Sequence, residues 1–195
     1  MSNHVTTRIN LCSFVSISGI TTVKSKVCFG YTNKASNGFF LPFFDYDIRD
    51  IDNIIRELRF IQVKYQLSDI FIYNSKNGYN ALSLDKLPYN IICSLYADCK
   101  LICTDYKMLG LKRNFLTLRI GNDKTLYSIL KSNNEYYKKS LAHAIFLNVF
   151  LNTDIDIFNH RLFDDSLTIV LKAYRSEKHG FLEVKNLWQQ ENGRE

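Results

Sequence analysis

The sequence predicts an α+β domain built on an antiparallel sheet. Three observations carry this. The apolar period switches between two and three-to-four along the chain, so strands alternate with helices. The pair Asn77-Gly78 stands between two short β-rich runs and marks a hairpin. The 195 residues are 46% hydrophobic and 23% charged with only two prolines, which is the composition of a chain with a core and not of a disordered one.

Residues 1–38 read as β. Leu11 to Ile17 is apolar and β-rich, Lys26 to Thr32 is a second strand candidate, and Asn33 to Gly38 is a polar turn. Phe39 to Asp45 is a short aromatic run suited to a buried strand, with Pro42 tolerated near an edge or a bulge. From Asp50 the period changes. Ile51, Ile54, Ile55, Leu58, Phe60 and Ile61 recur at helical spacing, so Asp50 to Tyr65 is an amphipathic helix with acids in its first turn. Ser68-Asp69 ends it. Asp69 to Tyr73 is a strand, Asn74 to Gly78 the hairpin, and Tyr79 to Leu84 the return strand. Leu87 to Tyr96 is a helix with Pro88 in its first turn. Leu101 to Thr104 and Asn114 to Ile120 are further strands by pattern. Tyr136 to Leu151 is a strongly apolar helix, residues 154–184 read as a further helix or strand–helix addition, and the last ten residues are polar and frayed.

Between residues 39 and 120 the order is strand, helix, strand, strand, helix, strand. That is the split βαβ arrangement of ferredoxin-like and RNA-recognition folds. Such a sheet carries its helices on one face and leaves the other open for a ligand. The chain then divides into an N-terminal β extension over 1–38 packed on the core, a core over 39–125, and a C-terminal helical addition over 126–195 of the same domain.

Charge is distributed unevenly. Lysine and arginine exceed the acids by 25 − 19 = +6. Residues 100–139 alone hold nine basic and three acidic residues, 9 − 3 = +6, so this window is the whole excess. An acidic focus precedes it: Asp45, Asp47, Asp50, Asp52 and Glu57 face only Arg49 and Arg56 in the same stretch. A basic window permits a polyanionic partner. No run approaches the roughly 18 apolar residues of a membrane helix, and Met1 to Ile20 lacks a basic start followed by an apolar core, so neither a membrane partner nor a signal peptide is expected. The five cysteines are scattered and odd in number, which fits free thiols in a reducing compartment. No finger-like Cys/His spacing, phosphate-binding Gly-Lys loop or Ser-His-Asp order is present.

The chemistry-bearing motif is Phe43-Phe44-Asp45-Tyr46-Asp47. Residues two apart on a strand point to the same side, so Asp45 and Asp47 bring two carboxylates together at a strand end. Two like charges that close favour a cation between them, and Mg²⁺ or Mn²⁺ takes oxygen ligands of this kind. The same acids also suit the positive end of the helix that follows. In the hairpin, Ser75, Lys76 and the backbone amides through Asn80 can hold a phosphate. In Lys112 to Lys124, strand parity would project Arg113, Thr117 and Arg119 from one face.

These motifs, in this order, resemble the catalytic core of the archaeo-eukaryotic primase superfamily over about residues 39–125. The family's hDhD strand motif corresponds to Phe44-Asp45-Tyr46-Asp47. Its hairpin motif corresponds to Ser75-Lys76-Asn77-Gly78-Tyr79-Asn80, with Asn80 where the family has a phosphate-contacting histidine. Its third acidic position corresponds to Asp98 or Asp105, and its basic strand to Leu118-Arg119-Ile120-Gly121 with Lys124. The resemblance implies metal-dependent nucleotidyl transfer in nucleic-acid replication. Asp45, Asp47 and Asp105 would be catalytic. Asp45, Asp47 and Asp98 would ligate Mg²⁺ or Mn²⁺. Ser75, Lys76, Asn80, Arg113, Arg119 and Lys124 would hold nucleotide or template phosphates. It also implies nucleic acid and nucleoside triphosphates as partners, and the cytoplasm, that of the host for a viral or plasmid protein. Asparagine cannot supply the histidine's proton or cationic contact, which keeps a second reading beside the first. In that reading the same scaffold is a non-catalytic nucleic-acid-binding protein using the basic window and sheet-face aromatics.

Overall fold

Phe43, Phe44 and Tyr46 point alternately to the two sides of one strand, and all three are fully buried. Burial of each side chain contributes roughly 1.5–3 kcal/mol, so this short aromatic run favours a strand covered on both faces. In the computed structural model it is one. The structure describes residues 4–12, 15–22, 27–120, 124–157, 162–163, 171–175 and 181–183. The chain is α+β with antiparallel sheets. The strands are β1 (His4–Cys12), β2 (Val15–Thr22), β3 (Val27–Thr32), β4 (Phe43–Tyr46), β5 (Ile70–Asn74), β6 (Tyr79–Ser83), β7 (Thr117–Ile120), β8 (Leu126–Leu130), β9 (Leu171–Arg175) and β10 (Phe181–Glu183). The helices among the described residues are α1 (Ile51–Lys64), α2 (Tyr89–Asp98), α3 (Thr104–Arg113) and α4 (Leu141–Leu151). One sheet has the order β4-β6-β5-β8, a second β10-β9-β3-β7, and β1 and β2 form a separate pair.

Local chemistry accounts for the central elements. Asp50 caps α1 by accepting from the Asn53 N–H at 3.2 Å, and Ile54, Leu58 and Ile61 form its buried stripe. Pro88 is the cap residue of α2, one position before the expected first turn. Glu57 of α1 accepts the N–H groups of Lys100 and Leu101 at 2.6 and 2.9 Å and the Tyr46 hydroxyl at 3.3 Å. It thereby braces the α2–α3 connection against β4. Ser140 caps α4, and His143 is a buried packing residue whose ring nitrogens meet Ser140 Oγ and the Thr32 carbonyl, each at 2.8 Å.

Several expectations change. Leu11 to Ile17 is not one strand: it spans the junction of β1 and β2, which pair antiparallel. Leu101 to Thr104 is not a strand, because Thr104 opens α3, and Asn114 terminates that helix in the left-handed conformation. Strand β7 therefore starts only at Thr117. It pairs with β3, while β8 takes the outer edge of β5, so the strand after the second helical region leaves the central sheet. Among the described residues of 126–195 there are strands besides helix α4. Leu126–Leu130 belongs to the central sheet, and β9 and β10 are strands within residues 154–184, which the sequence reads as a further helix or strand–helix addition. The frayed tail assigned to the last ten residues lies outside the described residues.

The second face of the central sheet is also not open. Phe43, Phe71, Tyr73 and Leu82 share it by register, and all are buried. Tyr31 of β3 meets Phe43 edge-on at 5.2 Å and Phe146 of α4 at 4.5 Å, and His143 lies 6.1 Å from Phe43. Tyr73 Oη and Thr153 Oγ1 share a hydrogen bond of 2.7 Å just past α4. These aromatics are core and cannot stack on bases.

Asn33 joins the two four-stranded sheets. Its backbone N–H donates to the Leu116 carbonyl at 3.0 Å and its carbonyl accepts the Leu41 N–H at 2.7 Å. Its side chain repeats the bridge, with Oδ1 accepting the Leu116 N–H at 2.8 Å and Nδ2 donating to the Leu41 carbonyl at 3.1 Å. All of this is buried. Asn33→Ala leaves a buried N–H and a carbonyl unsatisfied, so urea unfolding should show a loss of about 2–4 kcal/mol. A loss below about 0.5 kcal/mol would mean that the joint is dispensable.

Asp85 is a second buried polar group. Its Oδ2 accepts from the Ser68 N–H and the Ser83 hydroxyl, both at 2.6 Å, while Oδ1 has no hydrogen-bond partner among the described residues. Desolvation raises its carboxyl above the ordinary 3.8, against the lowering effects of Ser83, Ser68 and Lys139. The folded state therefore binds this proton more tightly than the unfolded chain. The group's contribution is fully present below the unfolded value and is lost as pH rises through the folded one. The unfolding free energy of the wild type minus that of Asp85→Asn should fall as pH is raised from about 4 to 7. A pH-independent difference in denaturant titrations would contradict this.

Candidate functional site

Strand parity places Asp45 on the same side of β4 as Phe43, opposite Phe44 and Tyr46. Register then sets Asp45 beside Asn80 of β6, and Asn80 beside Tyr73 of β5. Asp45 is half-buried and Asn80 is 4% exposed, at the end of a face otherwise filled by Phe43, Leu82 and Tyr73. Asn80 Nδ2 donates to Asp45 Oδ1 at 2.5 Å, and Asn80 Oδ1 accepts from the ammonium of Lys124. The amide is thus oriented by charge at both ends, its N–H toward the carboxylate and its oxygen toward the cation. A flip would reverse both contacts.

The hairpin closes one side of this site. Its loop runs from Ser75 to Gly78, with the Ser75 N–H donating to the Gly78 carbonyl at 2.9 Å. Gly78 presses on the end of β4: a Cβ there would lie 2.0 Å from the Tyr46 oxygen and 2.9 Å from that of Ile48. Only glycine allows that approach. Arg49 ties the loop to the start of α1 by donating to the Lys76 carbonyl at 3.1 Å. On the other side, the Cys103 N–H donates to the Asp45 carbonyl at 3.0 Å and so docks the start of α3 against the strand. The exposed Asp47 carboxylate accepts from the Cys103 thiol. Burial first, and then this bond, push that thiol above its usual range.

The sequence-predicted residues separate into two groups. Asp45, Asn80 and Lys124 meet directly, Asp47 lies just past the same strand end, and Ser75 and Lys76 stand in the adjoining hairpin. Asp105 is exposed in the first turn of α3, two residues beyond Cys103. Asp98 is committed elsewhere. It ends α2, pairs with Lys64 at 2.6 Å and accepts from the Tyr65 hydroxyl at 2.5 Å, and those two contacts, Lys64 first, hold its carboxyl below the usual range. Arg113 and Arg119 do not share a strand, because Arg113 is the last residue of α3 and Asn114 breaks the chain direction. Arg119 is paired with Gly30 through β7. Its side chain, and the Gly121 to Asp123 stretch, lie outside the described residues. The basic window is also partly spent on structure: Lys107 donates to the Cys99 carbonyl at 2.8 Å and Lys131 pairs with Asp69 at 2.9 Å.

Among the described residues no group of three or more His, Cys, Asp or Glu side chains is gathered to hold a metal ion. Two carboxylates, Asp45 on β4 and Asp47 just past it, stand near this strand end. Mg²⁺ is commonly held by one or two carboxylates with substrate phosphates completing its shell. Each of these carboxylates already has a hydrogen-bond partner, Asp45 in Asn80 and Asp47 in the Cys103 thiol. Sequence reasoning missed Arg49 and Cys103, whose roles depend on which backbone segments lie alongside β4. No helix among the described residues is long and apolar enough to cross a membrane. Comparison of the chain with protein families, curated proteins and solved structures found no match.

Proposed function

We propose that the chain is a small primase-like nucleotidyltransferase acting in nucleic-acid replication. The observation that carries this reading is the convergence of Asp45, Asn80 and Lys124, which lie 35 and 44 positions apart, at one strand end beside the Ser75–Gly78 hairpin. The β4–α1–β5 crossover, with β6 inserted between its two strands, supports a split βαβ core of the primase kind. The reaction joins a primer 3′-hydroxyl to the α-phosphate of an incoming nucleotide, with loss of pyrophosphate. Asp45 and Asp47 would hold the divalent cation, Mg²⁺ or Mn²⁺, which neutralises charge on the phosphates when bound. Asn80 orients the Asp45 carboxylate. Lys124 and Lys76 supply positive charge for the triphosphate, with Ser75 and the hairpin amides as uncharged donors. Asp105, exposed at the start of α3, is the available third carboxylate.

A second reading is favoured by two observations. Asp98 is tied to Lys64 and Tyr65, and Asn80 cannot accept or deliver a proton as a histidine can. In that reading the same strand end binds nucleic-acid phosphates without turnover.

Primer synthesis and extension assays with Mg²⁺ and Mn²⁺ tested separately divide the two. The wild type should add nucleotides, and the Asp45→Asn, Asp47→Asn double variant should lose addition by several orders of magnitude while still binding nucleic acid. Equal activity in the double variant eliminates the carboxylate pair. An inactive wild type that binds nucleic acid, with affinity falling steeply as salt rises, selects the binding reading.

A further inference from the structure

The hairpin end of the central sheet carries a second feature that the phosphate chemistry does not use. Tyr79 opens β6 and Tyr127 lies on β8, with Asn74 of β5 between their strands. The two rings meet edge-to-face with centroids 5.4 Å apart. Tyr127 is 46% exposed, unlike Phe43, Phe71 and Tyr73, which are sealed in the core. The pair is held in place from below. Asn74 donates its backbone N–H to the Thr125 carbonyl at 2.9 Å and its Nδ2 to Thr125 Oγ1 at 3.2 Å. Strand β8 departs from regular register beside it, between Ile72 and Tyr73 of its partner strand, and a bulge of this kind re-aims side chains at a sheet edge.

The loop that leads into Tyr79 carries a cation, Lys76. Lys76 is exposed on the hairpin and Arg49 is exposed just before α1, the two joined through the Lys76 carbonyl, and neither makes an ion pair among the described residues. The nearby Asp50 carboxylate is taken up by Asn53 and that of Asp47 faces Cys103. Tyr79 is also the neighbour of Asn80 on β6, so the ring pair and the Asp45–Asn80–Lys124 group lie on opposite sides of the same strand end.

We propose that Tyr127, backed by Tyr79, is a stacking platform for an unpaired base, with Lys76 and Arg49 contacting the flanking phosphates. The partner is single-stranded nucleic acid, crossing the hairpin end toward the Asp45 site. This inference rests on the nucleic-acid reading of that site. An exposed ring at the same sheet end as the hairpin cation Lys76 suits the alternation of π-faces and phosphates along a single strand, whereas paired bases present no free face.

The test is fluorescence anisotropy with a labelled twelve-residue oligothymidylate, an abasic oligomer of equal charge, and a duplex of equal length. The wild type should prefer the oligothymidylate over both others. Tyr127→Ala should weaken its binding roughly tenfold, leave abasic binding unchanged and erase the preference, while Tyr127→Phe, which keeps the ring, should bind like the wild type. Salt-dependent binding by the wild type that Tyr127→Ala does not alter overturns the platform and leaves the phosphate site standing. Preference for the duplex overturns it as well. Absence of binding to all three probes overturns both the platform and the nucleic-acid reading beneath it.

Discussion

The candidate site depends on one side chain held between opposite charges. Asn80 is nearly buried on β6, donates to the Asp45 carboxylate and accepts from the Lys124 ammonium. A buried amide left unpaired would cost about 1–3 kcal/mol, so its satisfaction at both ends defines the local structure. The register Asp45↔Asn80 sets the first contact, and the return of the chain into β8 supplies the second. A one-residue slip of β6 would send Asn80 to the helix side and Tyr79 into the core face. Gly78 guards against that slip, since the hairpin sits so close to the Tyr46 carbonyl that a side chain there would collide with backbone.

Around this group the rest of the sheet face is dry. Tyr31 and His143 lie against Phe43, and Phe146 packs on Tyr31. Tyr73 turns its hydroxyl to Thr153. On this face Asp45 and Asn80 stand at the end of the sheet where β4 stops, the hairpin turns and α3 begins. Asn33 keeps the covering sheet in place by bonding Leu41 and Leu116 at once, so the closed face and the polar end have a common structural origin. An RNA-recognition domain reads its ligand on an open sheet face. In this chain that face is buried, so it is closed to a ligand.

The elements governed by local chemistry were legible in the sequence. Helix α1 carries its apolar stripe and its Asp50 cap within one segment, the Asn77-Gly78 turn is a two-residue signal, and the Phe43 to Tyr46 run can only be buried. The convergence of Asp45, Asn80 and Lys124 was legible as a set of motifs in order. Helix α3 was not, because its buried residue is Gly110 while Met108, Leu109 and Leu111 are exposed, so no helical apolar stripe marks it. The paired projection of Arg113 and Arg119 failed for the same reason, since parity holds only inside one strand. The covering of the sheet face by α4 is a long-range choice. Its only local trace is that α4 is apolar around most of its circumference, with Ala142, His143, Ala144, Phe146, Leu147 and Leu151 all buried. Asp98 reads as a free carboxylate in sequence, and its partners Lys64 and Tyr65 come from a different helix end.

The central claim is that a divalent cation and a nucleotide meet at the end of β4. The most direct measurement is paramagnetic broadening of backbone amide resonances in isotope-labelled protein, titrated with Mn²⁺ in the presence of a non-hydrolysable nucleoside triphosphate. The account predicts selective broadening at residues 45–47, 78–80 and 103–105 that is stronger with nucleotide than without and is lost in the Asp45→Asn, Asp47→Asn variant. Uniform weak broadening, or broadening centred on Asp69, Asp85 or Asp98 instead, would contradict it.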